Sequence, residues 1–257
     1  MSDYSFKRVI KVFVFFLVLL TISCAESTKR EGIVINGKFQ NASGIKVFFR
    51  EIDVNSIHDL DSATLDKNGF FRFKCNPLEA GFYMIKSFSG DYILLLLEKE
   101  EEVNVEADLR KQPFEYTVNG SPGSALLKEF YDLTLPNLVK ADSLRSVLIQ
   151  NRESPDFYRL SLSFDTIFMK IVDDQKIIEK AFIEKNQNSL ASLIVLNYKF
   201  GMMPVLNEED DFAIYKKLDS VLSVRFPSNS HVAFHHQRVI EHQRQEREKE
   251  LRKKSDF

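Results

Sequence analysis

Asp61-Ser62-Ala63-Thr64-Leu65-Asp66-Lys67-Asn68-Gly69-Phe70-Phe71-Arg72-Phe73-Lys74-Cys75 is the stretch that decides the fold of the first half of the chain. Phe71, Phe73 and Cys75 alternate with Arg72 and Lys74, the period-2 pattern of a strand with one buried face. Asn68-Gly69 is a pair favoured in tight turns, because glycine reaches positive φ without a Cβ penalty. The segment therefore predicts a hairpin between residues 62–65 and 71–75, with Cys75 as a buried structural thiol. On either side of this segment, short strands are expected at 32–40, 45–52, 61–65, 70–75, 81–88, 92–98, 103–107 and 114–118. Tyr92-Ile93-Leu94-Leu95-Leu96-Leu97 is continuously apolar and reads as a central strand buried on both faces. Roughly eight strands at this spacing imply an antiparallel sandwich or barrel.

The punctuation changes at Gly120. Eight of the nine glycines lie at or before Gly123, and only Gly201 follows. Ser121-Pro122 is a helix N-cap followed by proline at the first helical position, with Leu126, Leu127, Phe130 and Leu133 at helical spacing. Ser154-Pro155 repeats that signal, and Phe157, Leu160, Phe164, Ile167, Phe168 and Ile171 trace one face as far as about Glu184. A short apolar helix is expected over 189–198. Asn207 is expected to cap another, with Phe212, Tyr215, Leu218 and Leu222 inward, and a last helix starts near Asn229. The fold class is thus α+β: an antiparallel β domain at 32–119, a helical domain at 120–228 and a charged C-terminal helix at 229–257.

At the N-terminus, Lys7, Arg8 and Lys11 precede the hydrocarbon run of residues 12–20, and Thr21-Ile22-Ser23-Cys24 follows. Fourteen uncharged residues from 12 to 25 rise only about 21 Å as a helix, short of the ~30 Å hydrocarbon core. A secretory signal over 1–23 fits better than a span. Cys24 at the cleavage point resembles a bacterial lipobox, in which the thiol is lipidated and becomes the new N-terminus, although Thr21 stands where that motif usually has Leu. The alternatives are an ordinary signal peptide that happens to contain a cysteine, or an uncleaved anchor. Residues 24–31 would be a linker. The expected location is the cell envelope, lipid-anchored, facing the periplasm or on the outer-membrane surface.

Composition excludes several classes. The 257 residues are 44% hydrophobic and 28% charged, which is not a disordered composition. Lys and Arg number 35 against 37 Asp and Glu, so no field gathers nucleic acid, and no nucleic-acid partner is expected. Two cysteines support neither a zinc framework nor a multi-bridge one.

His231 and His235, with His236 and His242 on the same helix, form an HxxxH pair without a third ligand or an HExxH glutamate. The expectation is a solvated helix face and no metal. Arg238 through Lys254 mixes seven basic with four acidic residues, a solvated extension. Residues 98–102 (Glu-Lys-Glu-Glu-Glu) are expected to form an exposed hairpin loop. His58, Asp59 and Asp61 have no nucleophile with a placed base. No catalytic residue and no cofactor is expected.

The order Gly32, Val34, Gly37, Gly44, Lys46, Val47, then Asp61-Ser62-Ala63, Leu65-Asp66, Asn68-Gly69, Phe71, Phe73 and Phe82-Tyr83 resembles a known arrangement. It is similar to the uncharacterised β domain at the N-terminus of TlpA/ResA-like thiol-disulfide oxidoreductase lipoproteins. Val118-Asn119-Gly120-Ser121, Gly123-Ser124, Phe182-Ile183, Asn186 and Asn188-Ser189 resemble the helical segment that follows in those proteins. The resemblance implies a thioredoxin domain with a Trp-Cys-x-x-Cys dithiol beyond the helices. This sequence has no Trp and no Cys-x-x-Cys, so no redox residue carries over. What it implies instead is a non-catalytic module serving anchoring, dimerisation or presentation, with the membrane, a thioredoxin-like protein or a second copy as partner. The alternative is a standalone module binding peptide, glycan or lipid.

Overall fold

Seven of the expected strands form within one residue of where the sequence placed them, while the strand expected at 61–65 begins four residues earlier, at Ile57. The computed structural model describes residues 32–88 and 90–255. Its strands are β1 (Ile33–Gln40), β2 (Lys46–Ile52), β3 (Ile57–Thr64), β4 (Phe70–Cys75), β5 (Gly81–Ser87), β6 (Tyr92–Leu97), β7 (Glu102–Asp108) and β8 (Glu115–Asn119). The helices are α1 (Pro122–Gln150), α2 (Phe157–Lys185), α3 (Ala191–Leu196), α4 (Phe212–Arg225) and α5 (Ser230–Ser255), with a two-residue pair β9 (Lys199–Phe200) and β10 (Met203–Pro204) between α3 and α4. The fold is α+β. Among the described residues no helix is long and apolar enough to cross a membrane.

Two four-stranded sheets form the sandwich, in the orders β4-β1-β7-β8 and β3-β2-β5-β6. Between them lie Ile35, Phe39, Phe73, Val103 and Val105 of the first sheet and Val47, Phe49, Ile85, Leu95 and Leu97 of the second. Phe49 stacks between Phe73, at 5.3 Å, and Tyr83, at 5.5 Å. The far side of the second sheet is buried again. Phe82 and Leu96 pack there with Leu127 and Phe130 of α1, Phe182 of α2, Tyr215 and Leu218 of α4 and Val232 of α5. The described body is therefore three layers deep. β5 and β6 of the middle sheet are largely covered on both faces, which is why they read as apolar runs, whereas β3 at its other edge is exposed along nearly its whole length. The first sheet is covered once, which is why β1, β4, β7 and β8 alternate.

Several local expectations change. The Asp66–Gly69 turn closes as foreseen: Asp66 Oδ1 accepts the N–H groups of Asn68 and Phe70 at 2.8 Å, and Gly69 has φ +80°. It is not a hairpin, because β3 pairs with β2 while β4 pairs with β1, so the turn carries the chain from one sheet to the other. The acidic segment after β6 likewise crosses between sheets. β1 and β7 run parallel, the one departure from antiparallel pairing among the eight strands. β6 is an edge strand, not a central one. Its free edge is closed by the start of α1. Ser121 Oγ donates to Leu96 O at 2.9 Å, and Ser124 Oγ donates to the same carbonyl at 3.0 Å while accepting from Leu96 N–H at 3.1 Å. The same Ser121 hydroxyl caps α1 by accepting from Ser124 N–H.

Two helix starts also move. Ser154 Oγ accepts from Asp156 N–H, which closes a separate turn, and α2 begins at Phe157. Asn207 Oδ1 accepts from Glu209 and Asp210 N–H and caps a turn, so α4 begins at Phe212. Leu133 and Ile167, placed inward by spacing, are 44% and 49% exposed. Thr134 and Asn137 take the inward positions of α1 instead.

Candidate functional site

The residues singled out by sequence do not converge. Cys24 lies outside the described residues. Cys75 is half-buried rather than fully enclosed, and burial together with the Glu51 charge pushes its thiol up to about 11. It is protonated at neutral pH and a poor nucleophile. His58, Asp59 and Asp61 lie on exposed β3 and serve local contacts: Ser56 Oγ bonds His58 Nε2 at 2.8 Å, and Arg50 Nε reaches Asp59 at 2.5 Å.

The α5 histidines correct the expectation of a solvated face. His235 is 2% exposed, with Nε2 3.1 Å from Tyr215 O, and His231 Nε2 lies 3.0 Å from Ile52 O. Burial lowers the pKa of both rings, so each is neutral and donates its Nε2–H to a carbonyl. They grip different elements, β2 and α4, and so do not chelate. Among the described residues no three His, Cys, Asp or Glu side chains gather as a metal site. The signal for burial was present in Val232, His235 and Val239, an i, i+3, i+7 stripe. His236 Nδ1 lies 3.0 Å from both carboxylate oxygens of Asp219, and His242 packs on the Phe212 ring.

The polar cluster that sequence reasoning missed sits between α1 and α2. Gln175 and Glu179 are fully buried, and Thr134 and Asn137 nearly so. Asn137 Nδ2 donates to Gln175 Oε1 at 3.2 Å. Gln175 Nε2 donates to Thr134 Oγ1 at 3.0 Å and to Glu179 Oε1 at 3.4 Å. Glu179 Oε2 has no partner among the described residues. Burial pushes this carboxyl up to about 8, and the nearby Asp211 charge adds to the shift, while the Gln175 bond and the Lys176 charge oppose it. The adjacent cations are engaged elsewhere: Lys176 and Lys180 bond Asp211 at 2.8 and 2.9 Å. Burial alone would raise Asp211, but those bonds overturn it and hold the carboxyl below its ordinary range. The seam therefore holds one neutral acid beside one ionised one, enclosed among helices.

The open candidate is the solvent face of the first sheet. Strand register sets its side chains in rows. Arg72, Asn36, Asn104 and Asn119 lie opposite one another across β4, β1, β7 and β8, and Phe70, Lys38, Glu106 and Thr117 form the next row. Neighbours in a row are about 5 Å apart and successive rows about 7 Å. The two rows surround an open hollow of about 430 Å³. Asn36 Nδ2 donates to Glu102 Oε1 at 3.2 Å and to Asn104 Oδ1 at 3.4 Å. Among the described residues the Arg72 guanidinium and the Asn119 amide have no side-chain partner. Phe70 is 49% exposed, with Lys38 Nζ 5.3 Å over its ring; at an exposed site such a pair holds by only about 0.5–1 kcal/mol, so a ligand displaces it readily.

Residues 33–127 match the family model described as Domain of unknown function (DUF4369). The matched segment runs from the start of β1 into the second turn of α1, so it contains both sheets, the Ser121–Ser124 closure of β6 and the whole open face. No curated protein matches the chain.

Proposed function

We propose that this chain is a non-catalytic envelope lipoprotein module, related to the N-terminal region of TlpA/ResA-like thiol-disulfide oxidoreductases, that presents a rigid body for binding. The observation that carries the reading is the N-terminal sequence: a basic start, nine apolar residues at 12–20, and Cys24 at the cleavage point. A lipid on Cys24 would tether the body by residues 24–31, which reach at most about 26–29 Å when extended. β1 begins two residues later, so the sandwich would stand close to its membrane. The neutral, half-buried Cys75 fits a structural thiol and not a redox one. The partner for such a body is a thioredoxin-like protein, a second copy of this chain, or a ligand taken directly.

The test is metabolic labelling with an alkyne palmitate in cells expressing the full chain. Label is expected on the wild type in the membrane fraction and absent from Cys24→Ser. Equal labelling of both would overturn the anchor, and reduction of insulin disulfides by the purified protein would overturn the non-catalytic assignment. The second reading, a standalone binding module, is favoured by the open face of the first sheet, which needs no partner enzyme to be complete.

A further inference from the structure

We infer that the solvent face of the β4-β1-β7-β8 sheet is a binding site for a neutral saccharide, centred on Phe70, Asn36, Asn104 and Arg72. The inference deepens the binding-module reading and rests on it, but it does not depend on the lipid at Cys24.

Size comes first. From residue 34 to residue 40 the face is about 20 Å long, and its four strands span about 14 Å, so it offers about 300 Å². A stable protein interface needs about 800 Å² from each partner, which makes a second copy or a folded protein a poor occupant. The hollow of about 430 Å³ lies within the range of small-ligand sites.

Charge narrows the chemistry. Lys38, Arg72 and Lys74 stand against Glu102, Glu106, Asp108 and Glu115 over the rows from residue 34 to residue 40, so the face is close to neutral and selects neither polyanions nor cations. What it concentrates is hydrogen-bonding capacity of both signs on flat groups. Three amides and a guanidinium lie in one cross-strand row, each amide both donor and acceptor. Vicinal hydroxyls, which also donate and accept, are the complement of such groups. The exposed Phe70 ring at the end of the neighbouring row supplies an apolar surface for the C–H face of a sugar ring. A fatty chain would leave the amide row unpaired, and it would meet one aromatic ring rather than an apolar groove. A rigid sheet holds these groups at fixed spacing, so little side-chain order has to be bought on binding.

The full-length chain, solubilised in a detergent without a sugar headgroup, is applied to an array of neutral oligosaccharides, acidic polysaccharides and extended peptides. Maltoheptaose, cellopentaose and mannopentaose are then titrated in solution. Binding of at least one neutral oligosaccharide is expected, with Phe70→Ala and Asn104→Ala each weakening it about tenfold or more. Leu251→Ala, on the far end of α5, should leave it unchanged. Both face positions are solvent-exposed, so unaltered thermal unfolding will show that the variants fold. Retention of only peptides or polyanions would overturn the inference. So would the absence of any saccharide binding, or binding indifferent to both substitutions. A protein that carries palmitate but binds no sugar refutes this inference alone, and an unlabelled protein that binds sugar refutes only the anchor.

Discussion

Glu179→Gln should stabilise the protein at neutral pH, by an amount that disappears in acid. In the folded chain burial holds the Glu179 carboxyl up to about 8 against an ordinary 4.5. A raised carboxyl binds its proton more tightly when folded, so its contribution to stability is intact below pH 4.5 and is lost as pH rises towards 8. At about 1.4 kcal/mol per unit, the loss reaches about 1 kcal/mol at pH 5 and about 3 kcal/mol at pH 7. Glutamine keeps the shape of the protonated acid and the contact with Gln175 Nε2, and it has no proton to lose. For a body of this size the gain at pH 7 corresponds to roughly 6–12 °C in Tm. The assay is urea unfolding followed by circular dichroism at pH 4.5, 5.5, 6.5 and 7.5 for wild type and variant. Only the difference between the two curves is read, because the histidines titrate in the same window with the opposite sign. A difference that stays flat across that range, or a variant less stable at pH 7.5 than the wild type, would refute the reasoning.

Three further outcomes follow from named contacts. His231 and His235 have lowered pKa values, so the stability they confer is complete above pH 6.5 and declines as pH falls below it; in His235→Gln unfolding should depend less steeply on pH between 6.5 and 5. Ser124→Ala removes the hydroxyl that both donates to and accepts from Leu96 on a fully buried edge. It should cost about 1–3 kcal/mol in urea unfolding, with amide exchange at Leu96 accelerated more than in the middle of β5. Gly69→Ala sets a Cβ 2.0 Å from Phe39 O at φ +80°, and should destabilise by more than the ~1 kcal/mol typical of glycine replacement, which a lowered Tm would report.

The element types were legible because they rest on local chemistry. Alternation marked β1, β4, β7 and β8, apolar runs marked β5 and β6, Ser121-Pro122 marked the start of α1, and Asn229 marked the start of α5, where its Oδ1 accepts from His231 and Val232 N–H. What alternation does not encode is which strand pairs with which. The Asp66–Gly69 turn has the same hydrogen bonds whether its flanking strands join or part, so β3 and β4 looked like a hairpin and are not one. The run of residues 92–97 correctly signalled burial on both faces, but a helix end can close a free edge as well as another strand can, and Ser121 and Ser124 do so. The Glu179 seam was hidden because Thr134, Asn137, Gln175 and Glu179 are polar, and polar residues at helical spacing read as a solvated face. The α5 histidines were misplaced for the same reason. The open sheet face could have been anticipated from Asn36 and Asn104, but the row they form depends on the parallel register of β1 with β7, which only the assembled sheet defines.

The most direct test of a lipid-tethered body with an open face is thiol labelling on cells whose outer membrane has been permeabilised. Thr117→Cys in the full-length chain places a thiol on the solvent side of β8, while native Cys75, half-buried with its thiol pushed up to about 11, serves as an internal slow control. A membrane-impermeant maleimide is expected to modify Thr117→Cys rapidly while Cys75 lags far behind. Protection of Thr117→Cys that is reversed only when the cells are lysed would contradict the location, and protection equal to that of Cys75 that persists in the lysate would contradict the open face.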